Sequence, residues 1–305
     1  MHVLHPLVVA LSLSTAAAEL RQDPAPAPPP VQAPELVPGE VPASATAEAR
    51  ALWSAIQAAT GGATPQAKVE SFEISFDANG RDAQGNSVSF SDGRIRFLAP
   101  GMVDSALDKN GRRRLRGPKG DWMVESNGTK LRLQGVELER DRGELDQIAH
   151  VARTFANLID ARHLRLRSLA TLATPPFAVP ASMLERAKAL KWIEVLSPDF
   201  AIAHADGKRS TREVRAWIGV DAASSLPKLA MIAEDDKGTI VHETALLIAL
   251  DKYRALDGFQ VPFDLRTYAP DLSHAPWTFA ESEHLRLWLK SGSLRAPLTP
   301  KDFEP

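Results

Sequence analysis

Phe72, Ile74 and Phe76 alternate with Ser71, Glu73 and Ser75, the period of two that a strand with one buried face requires. Asn79-Gly80 and Gly85-Asn86 follow as turn-like pairs. Val88 and Phe90, then Ile95 and Phe97, continue the alternation on either side of Asp92-Gly93, which predicts a hairpin there. Residues 102–106 extend the pattern, Asn110-Gly111 turns the chain, and Arg112, Arg114 and Arg116 fall on one face of a further strand. That strand turns at Gly117-Pro118-Lys119-Gly120 and re-enters with Trp122, after which Leu131, Leu133, Val136 and Leu138 alternate with Lys130, Arg132, Glu137 and Glu139. The first half therefore reads as an antiparallel meander.

Two interruptions have the helical period. Residues 46–60 (TAEARALWSAIQAAT) place Leu52, Trp53 and Ile56 on one face, with Gly61-Gly62 as the stop. Further on, Leu145, Ile148, Ala149, Ala152, Phe155, Ala156 and Ile159 follow i, i+3, i+4, i+7, a core-facing helix. A shorter helix is expected from Ser182 as N-cap. Strand alternation then returns at residues 192–196, 214–220, 229–233, 240–250, 259–265 and 285–289, with Asp235-Asp236-Lys237-Gly238 as one of the turns. No strand-helix-strand repeat and no glycine-rich phosphate loop occurs, which excludes a doubly wound sheet. The predicted class is α+β, mainly β: one large, curved antiparallel sheet with helices packed on one side.

Composition adds the setting. The 305 residues are 44% hydrophobic and 24% charged, with a net charge of −2, so no global field favours nucleic acid and any polyanion affinity must be local. Residues 1–18 form an apolar run ending in Ala16-Ala17-Ala18 before Glu19, the pattern of a secretory signal peptide, in which only the amino terminus, His2 and His5 supply charge. Residues 19–45 contain the proline-dense DPAPAPPPVQAPELVPGEVP, a polyproline II spacer that cannot build a core. Residues 46–305 are expected to be a single domain. The absence of cysteine excludes disulfides, thiolate metal sites and lipidation at a cysteine after the signal. The expected location is the periplasm.

Catalytic constellations do not emerge. His242-Glu243 opens like a zincin motif, but the second His is missing and the segment alternates as a strand. The remaining histidines show no ligand spacing, so no metal and no cofactor is expected. No G-x-S-x-G elbow occurs, and Ser291-Gly292-Ser293 reads as a turn. Asp235-Asp236 is expected to be a solvated loop, because neighbours in a strand point to opposite faces. Asn127-Gly128-Thr129 matches a glycosylation sequon and is read as a turn. The arginine cluster has no interleaved aromatics for base stacking, which excludes nucleic acid. Arg112, Arg114 and Arg116 instead read as a charged hairpin rim, with contact to an anionic headgroup or a partner as the sharper alternative.

The order of a helix, VESFEISFDANGRDAQG, SDGRIRFLAPG and NGRRRLRGPKGDWMV resembles the periplasmic outer-membrane lipoprotein carrier family, the lipoprotein-sorting or LolA/LolB-like fold. Ser71-Phe72, Phe76, Pro100 and Gly120-Asp121-Trp122 occupy its motif positions, and YRALDGFQVPFDLRTY and LRAPLTPKDFEP look like its late strand and closing segment. Leu98-Ala99 stand before Pro100 where such carriers often place Arg. The resemblance implies an unclosed β-barrel whose concave, apolar side is lidded by helices and takes up acyl chains. Phe72, Ile74, Phe76, Phe97, Leu131, Leu133, Ile218 and Leu287 are the lining expected on that reading. It implies a non-enzymatic monomer that binds a lipid or acylated protein and meets envelope membrane proteins. The alternative is an envelope interaction or structural module that reuses the scaffold without a transported ligand.

Overall fold

The computed structural model describes residues 36–61, 68–81, 87–106, 111–134, 145, 149, 152, 156, 160–175, 177–200, 212–273 and 277–305. The expected signal segment, most of the proline-rich spacer, Val136 and Leu138 lie outside them. Helix α1 (Ala47–Gly61) comes first. The strands follow as β1 (Ser71–Arg81), β2 (Ser87–Leu98), β3 (Met102–Ala106), β4 (Arg113–Gly117), β5 (Gly120–Val124) and β6 (Lys130–Arg132). After a central helix to which residues 145, 149, 152 and 156 belong come β7 (Ser168–Leu172), β8 (Lys191–Ser197), β9 (Glu213–Val220) and β10 (Pro227–Asp236). The chain closes with β11 (Thr239–Leu256), β12 (Phe259–Tyr268), the two-residue strands β13 (Pro270–Asp271) and β14 (Thr278–Phe279), and β15 (Leu285–Ser293).

Thirteen strands make one sheet in the order β6-β5-β4-β3-β2-β1-β15-β12-β11-β10-β9-β8-β7. Every pairing in it is antiparallel. Its end strands β6 and β7 do not pair with each other, so the sheet stays open as an unclosed barrel. The late strand β15 inserts between β1 and β12 and joins the two meanders.

Directly paired residues share a face of a sheet, so the register sorts the side chains. Phe72↔Phe97↔Val103, Ile74↔Ile95, Leu265↔Leu287, Ala230↔Ile218 and Ala230↔Ile248 define an inner face. It is covered by the central helix at Ala149, Ala152 and Ala156, and by α1 at Ala49, Trp53 and Ile56. The reverse face differs between the two halves. Across β8 to β11 it carries an apolar cluster, with Trp192, Trp217, Met231 and Leu247 packed under Phe177, Met183 and Phe279. Across β1, β15 and β12 it is ionic: Lys290 bridges Asp77 and Asp92, and Arg286 pairs with Asp264.

Several local expectations are revised. No hairpin forms at Asp92-Gly93, because β2 runs unbroken from Ser87 to Leu98. Between the pairs Phe76↔Gly93 and Ala78↔Phe90, β1 spends one residue and β2 spends two, a bulge that Asp92 accommodates at φ 60°. Asn79-Gly80 continues β1. Ser182 caps nothing: it sits within a 3-10 turn (Ala181–Met183) before the helix Leu184–Lys188. Ser291 to Ser293 finish β15, and a Cβ on Gly292 would stand 2.5 Å from the Glu73 carbonyl oxygen, so this crossing needs glycine. Asp235 is buried rather than solvated, bound to Arg215 at 2.6 Å and accepting the Gly238 N–H at 2.6 Å. β7 was not legible as a strand. The end of the expected spacer also packs on the domain, with Ala45 buried and the Gly39 N–H donating to the Leu164 carbonyl at 3.0 Å.

Candidate functional site

The helix α1 forms because TAEARALWSAIQAAT is rich in alanine, the best helix former. The Thr46 hydroxyl accepts the Ala49 N–H at 3.1 Å as an N-cap. Arg50 reaches back to the carbonyls of Ala45 (3.1 Å), Pro42 (2.7 Å) and Ala43 (3.2 Å), which ties down the segment before the helix. These polar tethers are local to α1. Toward the sheet it presents Ala49, Trp53, Ile56 and Thr60, all buried, so its inner side is held by apolar contact.

Beneath that side the packing is incomplete. Trp53, Ile56 and Thr60 of α1, with Leu164 and Phe200, roof a cavity whose floor is Ile218, Pro227, Ala230, Leu250 and Leu265. Tyr253, Gln260 and Pro262 of the β11–β12 hairpin close one end. Ala230 is the reason for the space: it stands directly between Ile218 and Ile248 in register, a methyl where its neighbours carry four carbons. The crevice is narrow. The centres of water-sized molecules have about 50 Å³ to occupy, while all space not filled by atoms, open mouth included, is about 630 Å³. The smaller figure governs what enters without movement, and it corresponds to about three or four water molecules.

Among the described residues that line this cavity none is charged. The hydroxyl protons are committed: Tyr253 donates to the Pro227 carbonyl at 2.6 Å and Thr60 to the Ile56 carbonyl at 2.9 Å. Burial, with the Asp251 carboxylate adding to it, pushes the Tyr253 hydroxyl well above its ordinary range and keeps it neutral. A second, more open groove runs along the other side of α1, between Ala51, Leu52 and Ala55 and the segment around Leu172 and Trp192. It carries Glu48, Lys191 and Asp221, a mixed lining that does not favour an apolar ligand.

Of the eight residues expected to line a ligand site, Ile218 borders the cavity. Phe72, Ile74, Phe76 and Phe97 lie on the inner face as packed core under the central helix, with Leu287 half-buried beside them. Phe72 and Phe97 stack at 5.3 Å between centroids. Leu133 is buried with Met123 and Leu145, whereas Leu131 is 42% exposed on the end strand β6. Trp53, Ala230, Leu250 and Leu265 also line the cavity and were not among the eight. Each fits an apolar pattern that ordinary core also satisfies, so only the small size of Ala230 amid larger neighbours signals a void.

The arginine hairpin turns at residues 117–120 as expected. Its side chains, however, are bound within the sheet. Arg112 pairs with Glu125 at 3.1 Å, Arg116 grips Asp121 through two bonds of 3.0 and 2.9 Å, and Arg114 is only 6% exposed. On the reverse face Asp104, fully buried, receives Arg113 (2.8 Å), Arg96 (3.2 Å) and Arg94 (3.6 Å). Phe303 of the closing 3-10 turn (Pro300–Phe303) is buried beside this cluster, with Arg96 5.8 Å from its ring. His242 lies on β11 and stacks on Trp277 at 4.7 Å. No cluster of three metal-binding side chains occurs among the described residues. No helix among them is long and apolar enough to cross a membrane.

The chain matches no family model, and it matches none of the curated proteins. Among solved structures it is similar to an outer membrane lipoprotein-sorting protein domain from Vibrio parahaemolyticus. The identity is 11%, with 83% of this chain and 95% of that one covered and a TM-score of 0.42. It is also similar to a LolA superfamily protein from Nitrosomonas europaea (13% identity, 84% and 97% covered, TM-score 0.40). A DUF1329 family protein from Desulfovibrio piger is a third (11% identity, 84% and 96% covered, TM-score 0.38).

Proposed function

We propose that this chain is an exported binding protein that takes up an apolar ligand between α1 and the inner face of its open sheet, without transforming it. The observation that carries this reading is the uncharged cavity under Trp53 and Ile56. Such a site works by partition, since apolar walls replace water around the ligand at about 25 cal/mol per Å² buried. Lipid chains and the acyl groups of lipoproteins are the occupants that the sequence resemblance implies.

The narrowness of the crevice sets a condition on the mechanism. A long chain fits only if α1 lifts, and the ligand then replaces the contacts that Trp53 and Ile56 make with the sheet. Because α1 is tied at its N-terminal end by Arg50 and held inward by apolar contact, an apolar ligand offsets most of the cost of lifting it. The in-sheet pairing of Arg112 and Arg116 gives the interaction-module alternative no support.

The test is uptake. Titration with the neutral dye Nile red should give a saturable fluorescence rise, and organic extracts of gently purified protein should contain an acyl compound by mass spectrometry. No dye uptake together with an empty extract would refute the reading.

A further inference from the structure

Asn127-Gly128 and Asn79-Gly80 are the same dipeptide in opposite surroundings. Both asparagine side chains are exposed, so exposure does not distinguish them. Asn79-Gly80 lies inside β1, paired with Ser89 and Val88 of β2 on one side and with Arg286 and Leu285 of β15 on the other. A Cβ on Gly80 would stand 2.9 Å from the His284 carbonyl oxygen, so the backbone there has no room to turn. Asn127-Gly128 instead forms the tip of the β5–β6 connection. The Glu125 N–H donates to the Thr129 carbonyl and the Gly128 N–H to the Glu125 carbonyl, both at 2.9 Å. Gly128 sits at φ 85°, and a Cβ placed on it would meet nothing within 4 Å. The nitrogen of Gly128 is thus held by one hydrogen bond at an open turn, whereas that of Gly80 is locked inside a sheet. Asn110, of a third such pair, lies outside the described residues.

The Asn127 Oδ1 accepts the Thr129 N–H at 2.9 Å, an Asx turn. The ring closed by this bond runs through the Gly128 nitrogen and folds the carboxamide carbon in toward it, an orientation a free chain would have to find. The same bond draws electron density from the carbonyl and makes its carbon a better electrophile.

We infer that Asn127 is a site of spontaneous covalent modification, converted to aspartate and isoaspartate by attack of the Gly128 nitrogen, and that the fold protects Asn79 from the same reaction. A bond forms between the Gly128 nitrogen and Asn127 Cγ, the Cγ–Nδ2 bond breaks, and Nδ2 leaves as ammonia with the Gly128 amide proton. Water then opens the resulting succinimide. Cleavage of the new bond gives aspartate; cleavage of the original peptide bond gives isoaspartate, with the chain running through Cγ. No oxidant or reductant takes part, and glycine suits the step because it has no side chain to hinder its nitrogen. Either product adds a negative charge to the turn, and isoaspartate also adds a carbon to the backbone just before β6. The inference is independent of what the cavity binds.

The experiment holds the full chain at pH 8, native and in guanidinium chloride, and follows it by peptide mapping with mass spectrometry, reading isoaspartate by enzymatic methylation of its carboxyl. In the native chain the Asn127 peptide should gain one mass unit and split into two isomers. The Asn79 peptide should convert at least about a hundredfold more slowly, because a central strand must open first. In guanidinium chloride the two should convert at rates within about threefold of each other, since the surroundings that separate them are gone. Asn127→Gln should remove the methylation signal from that peptide, because the longer side chain must close a larger ring. An Asn127 that survives in the native chain while converting in guanidinium chloride would overturn the inference, as it would show that the turn holds the carboxamide away from the nitrogen. An Asn79 that converts as fast as Asn127 in the native chain would overturn it equally, by showing that the fold does not choose between the two.

Discussion

Filling the void with the protein's own atoms separates stability from binding. Ala230 is 2% exposed, borders the cavity, and faces Ile218 and Ile248 across its two neighbouring strands. Ala230→Val adds two methyl groups to a strand position that suits a β-branched residue. At about 0.8 kcal/mol per buried carbon the gain is at most about 1.6 kcal/mol. Crowding against the two isoleucines takes back part of this, leaving about 1 kcal/mol. For a domain of this size that raises Tm by roughly 2–4 °C. The same two carbons occupy space a ligand would use, so affinity should fall by up to about 1.6 kcal/mol, on the order of fifteenfold. Calorimetry and Nile red titration on one preparation read both quantities. A variant that is more stable but binds the dye with unchanged affinity would show that the ligand sits elsewhere. A variant with lower Tm would show that the void beside Ala230 is too tight to take even two methyls.

Asp251 should shape the acid limb of stability. Burial alone would raise its pKa, but the hydrogen bonds and charges of Arg186 (3.0 and 2.9 Å) and Arg266 outweigh it and hold the carboxyl below the usual range. A depressed folded pKa contributes stability that is complete above the unfolded value near 4 and is lost as pH falls from there through the lower folded pKa. Asp251→Asn should therefore cost about 2 kcal/mol at pH 7 and flatten the decline below pH 5, read by urea unfolding across pH; an equally steep decline would refute the assignment. Phe303→Ala should cost about 3 kcal/mol, since that ring is fully buried near the chain end. Gly117→Ala should weaken the same docking, because its Cβ would meet the Phe303 carbonyl oxygen at 2.1 Å; a variant as stable as wild type would show that the turn is not seated there. Arg116→Gln breaks the paired contact with Asp121 and should cost about 1 kcal/mol, with Nile red uptake unchanged within about twofold; lost uptake would mean that the hairpin belongs to the binding site.

Much of the fold is a local property and was readable as such. Period-two alternation assigns each residue of a strand to a face whatever the strand pairs with, so Phe72, Ile74 and Phe76, or Val214, Ala216 and Ile218, are recognisable as inward without knowing their neighbours. Helix α1 is legible because alanine content and the spacing of Trp53 and Ile56 lie within three turns. The Asp92-Gly93 misreading has the same origin. A left-handed residue followed by glycine fits a hairpin or a bulge equally well, and the pairing with β1 selects the bulge.

The sequence by itself thus determined a mainly antiparallel sheet, two helices set against it and an apolar inner face, because period and propensity act over a few residues. Only the tertiary structure decided where that face fails to close. A void is a difference between the volumes of side chains brought together from distant elements, here Trp53 from α1, Ala230 from β10 and Leu250 from β11, and no local pattern records that difference. Charge pairing follows the same logic. The arginines of residues 112–116 look like a free rim in the sequence, and it is the register of β3, β4 and β5 that sets Asp104, Asp121 and Glu125 within reach of them.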